Sequence, residues 1–80
     1  MAEADARLIR CFSAVFPALS REEIRAASIE TESDWDSLAA VRLVAVLEEE
    51  FGVQIDLGEL QEMSSFASIR HYLLKRSVAL

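Results

Sequence analysis

The sequence predicts an all-α fold, a small helical bundle with one long first loop, on three observations. Apolar residues recur at helical spacing in several separate segments. Two glycines and one proline are too few for the tight turns of an all-β fold. Apolar residues make up 52% of the 80 residues, and their periodicity argues against disorder.

The first helix is expected over residues 3–16, where Leu8, Ile9, Phe12, Val15 and Phe16 fall on one face. Pro17 ends it, because the residue before a proline is pushed out of the α region. Residues 17–36 form a long connection. Within it, Ser20 and Glu23 fit a capping box before a short turn that reaches Ala27. Ile24 and Ile29 are expected to pin the loop to the core. The end of the loop is acidic, with Glu30, Glu32, Asp34 and Asp36 and no base among them.

The second main helix has Asp36 as its N-cap, Ser37 as its first residue and Gly52 as a left-handed terminator. Leu38, Val41, Val44, Leu47 and Phe51 form its expected buried stripe, widened by Leu43 and Val46, with Leu38 anchoring the helix start in the core. Residues 53–55 read as extended, and residues 57–63 as a short, irregular helix. Ser65 caps a last helix over residues 66–76, buried through Phe66, Ile69, Tyr72 and Leu73. Arg70, Lys75 and Arg76 lie toward its C-terminal half, where cations complement the helix dipole.

Size and charge exclude several functions. A chain of 80 residues holds one domain at most, expected to span residues 1–80, and its core is too small to enclose a large active site. The net charge of −6 argues against nucleic acid and against an anionic membrane surface, and favours basic protein partners. Cys11 is the one cysteine, so neither an internal disulfide nor a multi-cysteine zinc site is available. Glu3 and Asp5 and the lack of a long apolar stretch argue against a signal peptide, and the default location is the cytoplasm. The expected state is a monomer.

Catalytic residues are sparse. His71 is the one histidine and reads as a solvated helix residue. Cys11 reads as a small, partly buried side chain. Asp34 and Asp36 match the first two ligand positions of a calcium loop, but Leu38 occupies the third and Ala39 replaces the turn glycine. That loop is rejected, leaving only weak divalent binding by the acidic cluster open. Asp36-Ser37-Leu38 is different. A serine at the start of a helix is exposed and lies beside outward-pointing N–H groups, which suit a phosphate esterified to its oxygen. The arrangement suits a serine modified by another enzyme better than one that attacks on its own.

The run Asp34-Trp35-Asp36-Ser37-Leu38-Ala39-Ala40-Val41-Arg42-Leu43-Val44-Ala45-Val46-Leu47-Glu48-Glu49-Glu50-Phe51-Gly52-Val53-Gln54-Ile55 resembles the centre of acyl carrier proteins. In that family a D-S-L motif opens a helix that ends in L-E-E-x-F-G-[VI]-x-[IV]. Both ends match at the family's separation, and the similarity continues through Met63-Ser64-Ser65-Phe66. The resemblance implies an all-α, four-helix acyl-carrier-like bundle of three main helices plus one short helix.

It also implies a function without catalysis. Ser37 takes the place of the serine that carries covalent 4′-phosphopantetheine. A phosphopantetheinyl transferase supplies the group from coenzyme A, and Mg2+ is needed only by that transferase, so no resident metal is expected. Asp36 corresponds to the acidic residue that assists the transfer. The thiol of the arm carries acyl groups as thioesters between acyl-loading and acyl-processing enzymes. Leu38, Val41 and Met63 would lie near the arm and contact partners or the acyl chain, although core packing is an equal alternative for Val41 and Met63. Glu48, Glu49 and Glu50 would meet basic patches, with a merely solvated face as the alternative for at least one of them.

Two features depart from the family pattern. Ala39 and Arg42 stand where many fatty-acid carriers have acids, which points to a specialised carrier in place of the housekeeping one. Trp35 stands where small or aliphatic residues are common, and either packs over the loop or lines the channel beside the arm. The leading expectation is a freestanding acyl carrier. A peptidyl or aminoacyl carrier, an unmodified helical interaction module and a small hydrolase using Ser37 are the alternatives.

Overall fold

The computed structural model describes residues 4–80. Its elements are α1 (Ala6–Val15), α2 (Arg21–Arg25), α3 (Ser37–Phe51), a 3-10 helix (Leu57–Glu62) and α4 (Phe66–Lys75). This is the all-α bundle the sequence predicts: four α-helices and one 3-10 segment, with no strand element among the described residues. They share one core of buried apolar side chains, in which Leu8, Phe12, Ile24, Leu43, Leu47, Ile69 and Leu73 are the largest sealed from water.

The ends of these elements follow from local chemistry. The expected start of α1 at Glu3 lies outside the described residues. The helix begins at Ala6, after Asp5 in a left-handed conformation with φ 62°. The Asp5 carboxylate does not cap α1. It sits 3.0 Å from Arg70 and 3.7 Å from Arg25, linking the start of α1 to α2 and α4. At the other end, Phe16 leaves the α region ahead of Pro17. In α2 the capping box is complete: the Ser20 hydroxyl accepts from the Glu23 N–H at 3.1 Å, and the Ser20 N–H donates to the Glu23 carboxylate at 2.8 Å. Ser65 and Ser68 make the equivalent pair at α4, with a serine in place of the usual glutamate.

Around Ser28 the long loop is fastened through backbone. The Ile29 N–H donates to the Ser64 carbonyl at 2.9 Å, and the Phe66 N–H donates to the Ala27 carbonyl at 3.0 Å, around a single antiparallel bridge between Ser28 and Ser65. These bonds correct one expectation. Ile24 is buried as predicted, but Ile29 is 51% exposed, because backbone pairing at the surface holds the loop there without burial of the side chain.

A second correction concerns α3. The predicted stripe contains Leu38 and Val41, yet these are 67% and 47% exposed. Leu38 therefore does not anchor the helix start in the core. The buried face runs through Ala39, Leu43, Val44 and Leu47. The reason is geometric. Each three-residue step along an α-helix rotates the side chain back by about 60°, so Leu38 and Leu47, nine residues apart, lie on opposite faces. Four-residue steps through Ala39, Leu43 and Leu47 drift by only about 40° each and hold one face inward. Phe51, the last member of the predicted stripe, is half-buried, with the Arg7 guanidinium 4.7 Å above its ring.

Gly52 closes α3 in the left-handed conformation, with φ 65°. The Ile55 N–H then donates to the Glu48 carboxylate at 2.8 Å, which fixes residues 53–55 across the end of the helix. Among the described residues, no helix is long and apolar enough to cross a membrane.

The rotated face of α3 predicts opposite outcomes for two leucines. Leu47→Ala should lower unfolding stability by about 2–5 kcal/mol, whereas Leu38→Ala should change it by less than about 0.5 kcal/mol. Chemical denaturation of the two variants checks this.

Candidate functional site

Three successive residues set the site. Trp35 points inward and is 5% exposed, with its ring 5.6 Å from Phe12 and 5.5 Å from Phe16. Asp36 caps α3, its carboxylate accepting from the Ala39 N–H at 2.9 Å, while its carbonyl accepts from the Ala40 N–H at the same distance. Ser37 follows as the first helical residue and is exposed. Among the described residues, no backbone acceptor takes the N–H of Ser37 or of Leu38. Two of the donors that every helix start leaves over therefore remain next to the Ser37 hydroxyl, at the positive end of a 15-residue helix.

The helix start divides two clefts. One, of about 530 Å³, is lined by Ile29, Trp35, Ser37, Val41, Leu60 and Met63, with Asp36, Ala40, Gln61 and Ser64 completing its lining. It is predominantly apolar. The other, of about 370 Å³, lies between the segment that ends α1 and the opposite side of α3. Glu32, Asp34, Asp36 and Arg42 give it its charge, and Leu38 projects at its edge.

The predicted site residues fall into groups. Asp36, Ser37, Val41 and Met63 meet at the apolar cleft. Met63 is 4% exposed and belongs to both core and cleft wall, whereas Val41 is half open to solvent. Leu38 and Arg42 stand one helical turn apart beside the charged cleft. Arg42 is exposed and makes no ion pair or hydrogen bond among the described residues. The acidic run at the end of α3 is already partly engaged. Glu48 is half-buried and holds the Ile55 N–H, and Glu50 pairs with Arg7 at 2.9 Å. Glu49 is exposed and makes no ion pair or hydrogen bond among the described residues. Trp35 does not lie over the loop: it is buried against Phe12 and Phe16 and also lines the apolar cleft.

Ile29, Leu60, Gln61 and Ser64 also line the apolar cleft, and sequence reasoning did not assign them to it. Ile29 is far from the others in sequence and joins them only through the Ser28–Ser65 bridge. No local pattern carries that information.

Among the described residues, no histidine lines either cleft. His71 is exposed on α4. Among the described residues, no cluster of three or more histidine, cysteine or carboxylate groups is arranged to hold a metal, so the acidic loop does not form a multidentate site. Cys11 is buried in α1, more deeply than the sequence suggests. Burial, with a smaller contribution from the Glu50 carboxylate, pushes its thiol up from 9.0 to about 11.

With that geometry in place, comparison with known proteins is informative. The family model for the phosphopantetheine attachment site matches residues 6–73, most of the chain, and the chain belongs to that family of carrier domains. No curated protein and no solved structure gives a match. Membership implies a covalently attached 4′-phosphopantetheine and a non-catalytic carrier that interacts with its transferase and with biosynthetic enzymes.

The Cys11 environment gives a prediction with a definite sign. A thiol held protonated by burial reacts through its thiolate only when exposed. Native protein at pH 8 should leave Cys11 unlabelled by a disulfide reagent that labels it fully in denaturant. Because the folded protein favours the protonated thiol, the stability contributed by Cys11 should be intact below about pH 9 and decline as pH rises toward about 11. Denaturation midpoints against pH, compared with Cys11→Ala, measure this loss.

Proposed function

We propose that Ser37 is the attachment serine and that the chain is an acyl carrier, holding acyl groups as thioesters on its arm and delivering them to successive enzymes. The observation that supports this most directly is the exposure of the Ser37 hydroxyl beside two backbone N–H groups without protein acceptors. These residues suit the group well. A phosphodiester at Ser37 receives hydrogen bonds and a favourable helix field, and an adjoining apolar cleft offers cover for the hydrocarbon parts of the arm. Gln61 and Ser64 provide polar atoms in the cleft lining, suited to the amides of a pantetheine chain.

In attachment, a bond forms between the Ser37 oxygen and the pantetheine phosphorus of coenzyme A. The bond from that phosphorus to the adenosine bisphosphate breaks, and the hydroxyl proton leaves to a base on the transferase. Asp36 keeps α3 starting at Ser37, and its carboxylate would be the group beside Ser37 that assists the Mg2+ used by that enzyme. The arm supplies the thiol that forms and releases thioesters. The protein supplies presentation, since a tethered thiol meets each docked enzyme at high effective concentration. The described elements form one carrier unit around a single core, and the net charge of −6 favours acyl over aminoacyl cargo.

Incubation of the apo protein with coenzyme A, Mg2+ and a broad-specificity phosphopantetheinyl transferase should add the mass of one phosphopantetheine. Ser37→Ala should add none. Wild type that gains no mass under conditions that modify a control carrier would favour the unmodified interaction module.

Partner choice follows from the charge around Leu38. Leu38 and Val41 present an apolar contact, Glu49 and the loop acids present negative charge, and Arg42 interrupts it with an unpaired cation. A partner with a uniformly basic docking face meets repulsion at Arg42, and such contacts cost up to several kcal/mol. We therefore assign this carrier a specialised pathway in place of general fatty-acid synthesis. The general fatty-acid malonyl transferase should load Arg42→Glu at least about tenfold more efficiently than wild type, equivalent to about 1.4 kcal/mol. Equal, efficient loading of both would remove the basis for this assignment.

A further inference from the structure

Among the residues that line the apolar cleft, two are buried, Met63 at 4% exposure and Trp35 at 5%. The Trp35 indole lines the cleft on one side and meets the aromatic core on the other, edge-on to Phe12 at 78° and tilted against Phe16 at 47°. Phe12 is fully buried and is itself held edge-on to Phe66, with centroids 5.2 Å apart. Behind the indole there is therefore a locked stack of rings. Interiors packed this densely do not yield space without displacing several side chains. Ala40, Val41, Leu60 and Met63 give the cleft its remaining apolar wall, and Ile29 stands at its outer edge. The volume of about 530 Å³ falls within the usual range for small-molecule sites, but the cleft is bounded inward and open outward.

We propose that Trp35 is the depth stop of this cleft and sets the carrier's cargo preference toward short acyl groups. This rests on Ser37 being the attachment site, since Ser37 lines the same cleft. A short chain turned back from the arm lies against the indole, Met63 and Leu60. A longer chain finds no route past Trp35 into the bundle, and its outer carbons run over Ile29 and Val41 into water. Trp35 acts as a specificity-determining wall, with no part in the chemistry.

The test uses the transferase to load apo protein from coenzyme A and from its butyryl, octanoyl and palmitoyl thioesters, with intact mass confirming each product. Trp35 is the chain's one tryptophan, so its emission reports the cleft directly. The butyryl form should shift that emission relative to the bare arm and raise Tm by about 4 °C or more, the scale expected for modest extra burial in a domain of this size. The octanoyl and palmitoyl forms should add nothing further. Trp35→Phe, which keeps an aromatic ring but shortens the wall, should move the plateau to octanoyl. A wild-type Tm that climbs steadily from butyryl to palmitoyl overturns the proposal. So does an emission identical in bare and loaded forms, or a Trp35→Phe profile matching wild type. Should the variant not fold, the wild-type series decides by itself. Failure of any coenzyme A species to add mass contradicts the Ser37 reading instead, and intact mass distinguishes that outcome.

Discussion

The proposed function depends on where one helix begins. The carboxylate of Asp36 accepts from the Ala39 N–H and stops α3 from extending backward into the loop. A cap of this kind contributes about 0.5–2 kcal/mol. Trp35, immediately before it, is clamped among Phe12 and Phe16. Between an inward anchor and a capped helix, Ser37 can face only outward. A shift of one residue would bury the hydroxyl or replace it, and would pull the indole from the aromatic core. Anchor, cap and exposed serine form a single constraint, and both clefts take their shape from it.

The charged groups are distributed to suit this. No charged side chain is buried among the described residues, and the buried side-chain oxygen is the Tyr72 hydroxyl. Ion pairs tie the ends of the bundle: Asp5 joins α1 to α2 and α4, and Arg7 holds both the carboxylate and the carbonyl of Glu50 while stacking on Phe51. These exposed pairs add little stability singly. Their placement nonetheless leaves the loop acids, Glu49 and Arg42 as the charges available around the face that surrounds Ser37. In the proposed docking, steering of partners depends on the balance between that acidity and Arg42.

Much of this was legible in the sequence wherever the determinants are local. The capping box at Ser20, the caps at Asp36 and Ser65 and the left-handed Gly52 each depend on residues a few positions apart, and each is found where the pattern places it. The buried stripe of α4 was equally readable, because Phe66, Ile69, Tyr72 and Leu73 keep to one face. α3 misled because it is apolar on more than one side. Its exposed Leu38 and Val41 are as hydrophobic as its buried Leu43 and Leu47, and hydrophobicity alone does not say which face meets the core. Ile29 misled for a different reason, since a backbone bridge does the work expected of its side chain. The apolar cleft brings Ile29 together with Leu60 and Met63, more than thirty positions away, and was invisible until the chain folded. Glu48 and Glu50, expected among the docking acids, also hold groups of the chain itself, Glu48 the Ile55 N–H and Glu50 the Arg7 guanidinium.

The most direct measurement is residue-level localisation of the prosthetic group by fragmentation mass spectrometry of the modified domain. The account predicts the phosphodiester on the peptide containing Trp35 and Leu38, at the oxygen of Ser37 and at no other serine of the chain. A group found on Ser33, on Ser64 or on any side chain outside the start of α3 would contradict it.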